Sequence, residues 1–121
     1  MNAIAHTIVG AYLDTWNATD PQTRAALLAD HWAPDATYTD PLADVAGPDE
    51  IGALVGGVHE QFPGFVFSLV GEPDAHHRHV RFQWALGPAG AEPPVVGFDV
   101  ITVDDADRIT SVAGFLDRVP A

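Results

Sequence analysis

The chain opens with apolar residues spaced every three or four positions, as in an amphipathic helix. This spacing predicts a first helix over residues 3–17. Its apolar stripe consists of Ile4, Ile8, Val9, Tyr12, Leu13 and Trp16.

A second helix is predicted from Asp20-Pro21, because aspartate caps a helix N-terminus and proline suits the first helical position. We expect this helix to end at Pro34, since the residue before a proline avoids helical geometry. Its apolar stripe is Ala25, Leu28 and Trp32.

A short strand over residues 36–39 precedes a third predicted helix. This helix starts at Gly47-Pro48-Asp49-Glu50, where the two acids suit the positive end of the helix dipole. Pro63-Gly64 is expected to stop it. Its apolar face is Ile51, Leu54, Val55, Val58 and Phe62.

After Gly64 the pattern changes from helical spacing to alternation, which indicates strands. Four strands are predicted, over residues 65–71, 78–87, 94–103 and 108–118. The connections between them are rich in turn residues: 71–74, 87–90 and 104–107. Helices followed by a run of strands predict one α+β domain over residues 1–121, with helices on one face of an antiparallel sheet.

The predicted strands are apolar on both faces. Val96, Phe98 and Val100 alternate with Val95, Ile101 and Val103, whereas a sheet with one wet face should be polar at alternate positions. One face can pack on the helices, and the other needs a second cover. We therefore expect a homodimer that buries sheet against sheet.

Composition narrows the possible functions. The 121 residues carry a formal charge of −12, which argues against binding to nucleic acid or to an anionic membrane surface. There is no cysteine, so disulfides and thiolate metal sites are excluded and a cytoplasmic location is expected. The segment Met1–Val9 lacks the basic region of a signal peptide. Without lysine or cysteine, catalysis by side chains has to rely on Asp, Glu, His and Tyr, which means acid–base chemistry or activation of water.

The segment Asp35–Pro41 is the part of the sequence most typical of a site. Asp40 stands at a predicted strand end, just before a proline, and such positions often carry chemistry. Asp40 is therefore a candidate base for proton transfer. The alternative is a turn aspartate that caps nearby backbone groups.

The order of elements and three segments resemble the nuclear transport factor 2-like superfamily, and within it the SnoaL-like and ketosteroid-isomerase-like branch. The segments are Tyr12–Asn17 followed by Asp20, Trp32–Pro41, and Gly97–Val100 with the later Asp107–Ile109 and Gly114-Phe115. The resemblance covers nearly the whole chain. It implies a cystatin-like fold, a cone-shaped barrel in which a strongly curved antiparallel or mixed sheet wraps around three N-terminal helices.

By resemblance to ketosteroid isomerase, Tyr12 occupies the place of a tyrosine on the first helix, Asp40 that of the base, and Asp99 that of a protonated aspartate on a later strand. Thr39 stands where that enzyme has an acidic residue. Read from the residues alone, Tyr12 is equally well a core tyrosine, and Asp99 a buried carboxyl paired with Arg81 or Tyr12 for structure.

Aromatic residues are expected to line an apolar pocket for a small apolar molecule, although most such residues are ordinary core. The predicted lining is Trp16, Tyr38, Phe62, Trp84 and Phe115, with His59 as a second acid–base group or a boundary histidine. His76, His77 and His79 invite a zinc reading, but a solvated turn explains them better, so we expect neither metal nor cofactor.

Three functions remain open. The first is a cofactor-independent isomerase or cyclase in which Asp40 moves a proton next to a carbonyl, while Tyr12 and Asp99 donate to the oxyanion. The second is epoxide hydrolysis of the limonene-epoxide-hydrolase type, with Arg81, Asp99 and Asp117. The third is a binding domain without catalysis. Convergence of Tyr12, Asp40 and Asp99 on one cavity separates the first from the third.

Overall fold

The predicted helices and strands all form, with differences at their ends, and one short strand forms that was not predicted. The computed structural model describes residues 2–120. Its elements are α1 (Asn2–Asn17), α2 (Pro21–His31), β1 (Trp32–Asp40), β2 (Ala43–Ala46), α3 (Gly47–Gln61), β3 (Phe65–His76), β4 (His79–Pro88), β5 (Val95–Val103) and β6 (Ile109–Arg118).

The helix boundaries follow from local chemistry. The Asp20 carboxylate accepts a 2.9 Å hydrogen bond from the Thr23 backbone N–H and so caps α2 as predicted. However, α2 ends at His31, before the predicted Pro34, because Trp32 already has extended backbone and enters β1. Pro34 instead lies within β1, in a stretch where the pairing with β6 is irregular between Trp32 and Thr37. A proline fits there because it has no N–H to donate to a ladder.

The six strands form one curved sheet in the order β2-β1-β6-β5-β4-β3. The strands β1 and β6 run parallel, and the other neighbouring pairs are antiparallel, so the sheet is mixed. The short strand β2 was not predicted; it returns against β1 after the Pro41-Leu42 turn. The parallel pair brings the end of β1, and therefore Asp40, beside the middle of β6.

The predicted turn at residues 71–74 is wrong. Strand β3 continues through it to His76, with an irregular register between Val70 and Asp74. Gly71 has φ +68°, a conformation that glycine adopts without a steric penalty, so the chain bends there without leaving the sheet. The hairpin turn lies at His77-Arg78 instead.

The inner face of the sheet packs on the helices and forms the core. Along β5 every second residue is buried, from Val95 to Val103, which places Asp99 on the inner face. The intervening Val96, Phe98 and Val100 face outward and are half-buried. The outer face of β5 is thus as apolar as predicted; the dimer built on it stays a prediction.

No helix within residues 2–120 combines the length and the hydropathy that crossing a bilayer requires.

Candidate functional site

A cavity of about 190 Å³ lies between the helices and the inner face of the sheet. Its wall is mostly aliphatic and aromatic, with side chains from α1, α3 and the sheet. The ionisable or hydroxyl-bearing side chains on the wall are Tyr12, Tyr38, Asp40 and Asp99. The structure thus brings the three predicted catalytic side chains, Tyr12, Asp40 and Asp99, to one apolar cavity.

Tyr12 and Asp99 form a buried pair at the inner end of the cavity. The apolar stripe of α1 turns Tyr12 toward the sheet, and the alternation of β5 turns Asp99 toward α1. The Tyr12 hydroxyl donates a 2.6 Å hydrogen bond to Asp99 Oδ2, and the two residues are only 2% and 1% exposed. Such a short bond between two buried groups fixes the orientation of the carboxyl group.

The environment of Asp99 favours its neutral form. Burial raises the pKa of Asp99 to about 6, and the nearby Asp40 charge also raises it, while the hydrogen bond from Tyr12 and the nearby Trp84 indole lower it. Burial, together with the neighbouring Asp99 charge, raises the pKa of Tyr12 well above its ordinary value. Tyr12 therefore keeps its proton, and Asp99 is the member of the pair that titrates.

Asp40 and Tyr38 form a second tyrosine–aspartate pair, nearer the mouth of the cavity. They are two positions apart on β1 and so share its inner face. The Tyr38 hydroxyl donates a 2.6 Å hydrogen bond to Asp40 Oδ2. The backbone N–H groups of Leu42 and Ala43 donate to Oδ1 at 2.8 and 2.9 Å. Asp40 therefore caps the turn, which was the alternative given for it, and it also lines the cavity; its role as a base stays a prediction.

Two glycines leave room for the polar groups of the site. A Cβ atom on Gly114 would lie 2.6 Å from Asp99 Oδ1 and 3.4 Å from Asp40 Cβ. A Cβ atom on Gly97 would lie 2.1 to 2.8 Å from the six-membered ring of Trp84. The sequence analysis gave these two glycines no role in the site. Their inward positions can nevertheless be read from the alternation along β5 and β6, which also places Asp99 inward.

The mouth of the cavity is apolar. Leu42, in the turn between β1 and β2, is 84% exposed, and Val119 near the C-terminus is 55% exposed. Both line the opening. The opening therefore favours ligands with an apolar end.

Four of the predicted lining residues contact the cavity and two do not. Trp16, Tyr38, Phe62 and Trp84 line it. The prediction for Phe115 is wrong, because β6 turns Gly114 and Leu116 inward and leaves Phe115 on the outer face, 57% exposed. His59 lies half-buried behind the wall, where Nε2 is 2.6 Å from the Trp16 carbonyl oxygen and helps to join α3 to α1.

The residues required for epoxide hydrolysis are not brought together. Arg81 alternates with the inward-facing Phe82, so it lies on the outer face with Asp74 at 3.5 Å. Asp117 is also exposed and accepts a hydrogen bond from Gln83. Because Asp99 faces inward, the sheet separates it from Arg81 and Asp117, and this candidate set is wrong.

The three histidines of the β3–β4 turn lie outside the cavity wall. His76 and His79 have ring centroids 5.7 Å apart, and all three side chains are exposed. In residues 2–120 no group of three or more His, Cys, Asp or Glu side chains is arranged to hold a metal ion.

The chain matches one protein family and is similar to several solved structures. The model of the SnoaL-like domain matches residues 9–112. No curated protein matches the chain. Among solved structures, the chain is similar to a "putative isomerase of the SnoaL-like family" from Agrobacterium tumefaciens str. C58, with 36% identity and a TM-score of 0.91. That match covers 95% of this chain and 98% of the other.

Two further structures share the fold at lower identity. One is a "putative polyketide cyclase" from Sinorhizobium meliloti, with 19% identity, a TM-score of 0.70, and coverage of 89% of this chain and 93% of the other. The second, from Methylobium petroleophilum PM1, is a protein of unknown function with a cystatin-like fold. It has 16% identity, a TM-score of 0.75, and coverage of 100% of this chain and 80% of the other.

Proposed function

The chain belongs to the family of SnoaL-like domains, and we propose that it is a cofactor-independent enzyme which moves a proton next to the carbonyl group of a small apolar molecule. One observation carries this proposal. Two carboxyl groups in unlike surroundings, Asp40 and Asp99, line the same apolar cavity. Pairs of carboxyl groups whose surroundings separate their acidities are typical of acid–base sites.

Asp40 is the base in this proposal. Oδ1 already accepts two backbone hydrogen bonds, whereas Oδ2 accepts one from Tyr38 and keeps a free lone pair. That lone pair removes a proton from the carbon beside the carbonyl group. The three donors hold the carboxylate still, as a base must be held to meet a carbon–hydrogen bond.

Asp99 is the acid partner. Its neutral form is well populated at and below about pH 6, given its raised pKa. A neutral carboxyl group in an apolar cavity donates a hydrogen bond to the carbonyl oxygen and stabilises the negative charge that develops there. The reaction then ends when Asp40 returns the proton to another carbon.

The size of the cavity favours a substrate with one ring or a short open chain. The volume of about 190 Å³ exceeds the roughly 150 Å³ of an engineered cavity that holds benzene. It is below the range of about 300–1,000 Å³ that is usual for drug-sized ligands. A skeleton of four fused rings exceeds this volume and would have to extend out through the apolar mouth.

Isomerisation is the reaction class we favour. The relative with 36% identity is described as a "putative isomerase", and it covers nearly the whole chain. An aldol-type cyclisation starts with the same removal of a proton, so it needs the same base and the same donor. Isomerisation needs no second reacting group, and the cavity has room for a single ring.

The test uses cyclohexenone in its β,γ-unsaturated form. Its conversion into the conjugated isomer moves one proton between two carbons and is followed by the absorbance of the conjugated product. We expect the wild type to catalyse this reaction and Asp40→Asn to reduce kcat/KM at least about a hundredfold, because general-base catalysis contributes roughly 10²–10⁴-fold.

Asp44→Asn is the matched control. Asp44 is exposed on β2 and accepts a hydrogen bond from Thr39, away from the cavity wall. Its removal should leave the rate unchanged. A wild-type rate that survives in Asp40→Asn would disprove the assignment. A wild type that binds the ketone without converting it would indicate a binding domain.

A further inference from the structure

Three buried side-chain atoms lack a hydrogen-bond partner among the side chains that the structure describes. They are Trp16 Nε1, Trp84 Nε1 and Asp99 Oδ1, on residues that are 4%, 8% and 1% exposed. All three residues line the same cavity. Buried polar atoms are almost always paired, so unpaired atoms on three residues that line one cavity indicate a place for a polar ligand atom beside them.

The hydroxyl group of Tyr12 is not free to bind that ligand atom. Its single proton is used in the 2.6 Å hydrogen bond to Asp99 Oδ2. The Trp16 indole N–H lies near the Tyr12 hydroxyl, where it lowers the pKa of Tyr12 against the larger effect of burial, which raises it. The donors that remain for a ligand are a protonated Asp99 Oδ1 and the Trp84 indole N–H.

Backbone geometry brings these two donors together. Trp84 pairs with Gly97 across β4 and β5, and Asp99 pairs with Gly114 across β5 and β6. The indole ring lies against the bare Gly97 backbone, because any Cβ there would overlap the ring. Asp99 Oδ1 occupies the corresponding space beside Gly114. The Trp84 N–H lies beside the Asp99 carboxyl group and lowers the pKa of Asp99 as a hydrogen-bond donor, although its geometry falls short of a complete hydrogen bond.

We propose that Trp84 Nε1 and Asp99 Oδ1 together bind the carbonyl oxygen of the substrate, and that Tyr12 is a positioning residue which orients Asp99 without touching the substrate. This inference rests on the proposed function and adds a donor to it. An indole N–H never loses its proton at ordinary pH, so it complements a carboxyl group that does. Both donors are fixed by packing before the reaction starts, as oxyanion binding requires.

The test compares acetophenone with α-methylstyrene, which has the same shape but carries a methylene group in place of the carbonyl oxygen. Dissociation constants are measured by NMR titration below pH 6. We expect Trp84→Phe to weaken acetophenone binding about three- to tenfold, the usual effect of one hydrogen bond, and to change α-methylstyrene binding less than about twofold. Equal losses for both compounds, or no loss for acetophenone, would overturn the proposal.

Trp32→Phe is the matched control. It also removes an indole N–H, but that group donates to Thr15 Oγ1 at 3.1 Å and lies outside the cavity wall. Binding of both compounds should stay within about twofold of the wild type, since no ligand contact is lost.

A second measurement needs no Trp84 variant. The chain has three tryptophans, so Trp16→Phe and Trp32→Phe assign the indole N–H signal of Trp84 by elimination. In the wild type, acetophenone should move that signal downfield, and α-methylstyrene should not. An indole signal that responds equally to both compounds would overturn the proposal, whether or not Trp84→Phe folds.

The two proposals fail in different ways. If Asp40→Asn keeps its turnover while acetophenone still moves the Trp84 signal, the assigned base is wrong and the oxygen site stands. If Asp40→Asn loses its turnover while the Trp84 signal ignores acetophenone, the base stands and the second donor is wrong.

Discussion

Asp99 and Gly114 face each other across β5 and β6, and the carboxyl oxygen of Asp99 occupies the space that a side chain at position 114 would fill. The same glycine lies beside Asp40, because the parallel pairing of β1 with β6 places Thr39 opposite Ala113. Asp40, Gly114 and Asp99 thus lie side by side on three neighbouring strands. The two carboxyl groups can share one cavity because the residue between them has no side chain.

We expect Gly114→Ala to damage the site more than the fold. The backbone of Gly114 has no positive φ, so alanine is compatible with the strand. Its methyl group would displace Asp99 Oδ1, which lies 2.6 Å away, and a small displacement of a catalytic group costs about tenfold to a hundredfold in rate. The measurements are kcat/KM for the cyclohexenone reaction and the melting temperature.

Gly57→Ala is the control for that substitution. Position 57 lies on α3 with open space around it, so alanine should keep the rate and add up to about 1 kcal/mol of stability. If Gly114→Ala kept the full wild-type rate, Gly114 would not limit the position of Asp99.

Tyr12→Phe should shift the pH dependence of the reaction upward. The hydrogen bond from Tyr12 lowers the pKa of Asp99, against the larger effect of burial, which raises it to about 6. Removing the hydroxyl group therefore raises that pKa further, so the neutral form persists to higher pH. Since kcat/KM reports the acidities of the free enzyme, its falling limb should lie near pH 6 in the wild type and above it in the variant.

A simple structural role for Tyr12 would give a different result. In that case Tyr12→Phe would lower kcat/KM by the same factor at every pH and would leave the falling limb of the pH profile in place. A limb that moved to lower pH would contradict the stated effect of the hydrogen bond on Asp99.

The helices and the inward position of Asp99 were predictable because they depend on local patterns. The Asp20 cap and the proline starts of α2 and α3 are encoded within one helical turn. Alternation along β5 shows from the sequence that Asp99 shares a face with Ile101 and Val103.

Two of the wrong predictions fall where strand register decides the outcome. Phe115 was placed in the cavity, but a change of one position along a strand moves a side chain to the other face. Similarly, the register irregularity after Val70 lets β3 continue through Gly71, which a list of turn residues does not reveal. The role of Trp84 Nε1 depends on how the indole packs on Gly97, and that contact joins two strands.

The outer face of the sheet supports a prediction about assembly. Phe98 and Phe115 are neighbours on β5 and β6 and both face outward, and Val66 adds a 43% exposed side chain on β3. We expect two copies of the chain to form a dimer in which the outer faces of the two sheets pack against each other. Phe115→Asp would place like charges at the contact and should convert a dimer to a monomer in sedimentation velocity at micromolar concentration.

Ile4→Asp serves as the control for assembly. Ile4 is an exposed apolar residue on α1, away from the outer face of the sheet, so the same change there should leave the dimer intact. A wild type that sediments as a monomer at these concentrations would refute the expected pairing.

We expect Asp99→Asn to be less active and more stable than the wild type. The gain in stability should depend on pH. The pKa of Asp99 in the folded protein, about 6, lies above the value of 3.8 that represents an unfolded chain, so the folded state binds this proton more tightly. The contribution of Asp99 to stability is therefore fully present below the lower value and is lost as the pH rises through the higher one. Asparagine has nearly the same shape and no charge to bury.

The free energy of unfolding of Asp99→Asn should thus rise relative to that of the wild type by about 1–2 kcal/mol between roughly pH 5 and pH 8. Urea unfolding at a series of pH values measures this difference, and Asp44→Asn, which removes an exposed carboxylate, provides the comparison. A difference that stays constant with pH would show that Asp99 does not titrate in this range. Because a neutral acid at this position serves the proposed chemistry better than a permanent amide, the same variant should lose kcat/KM below about pH 6, where Asp99 of the wild type is neutral, and should lack the falling limb near pH 6.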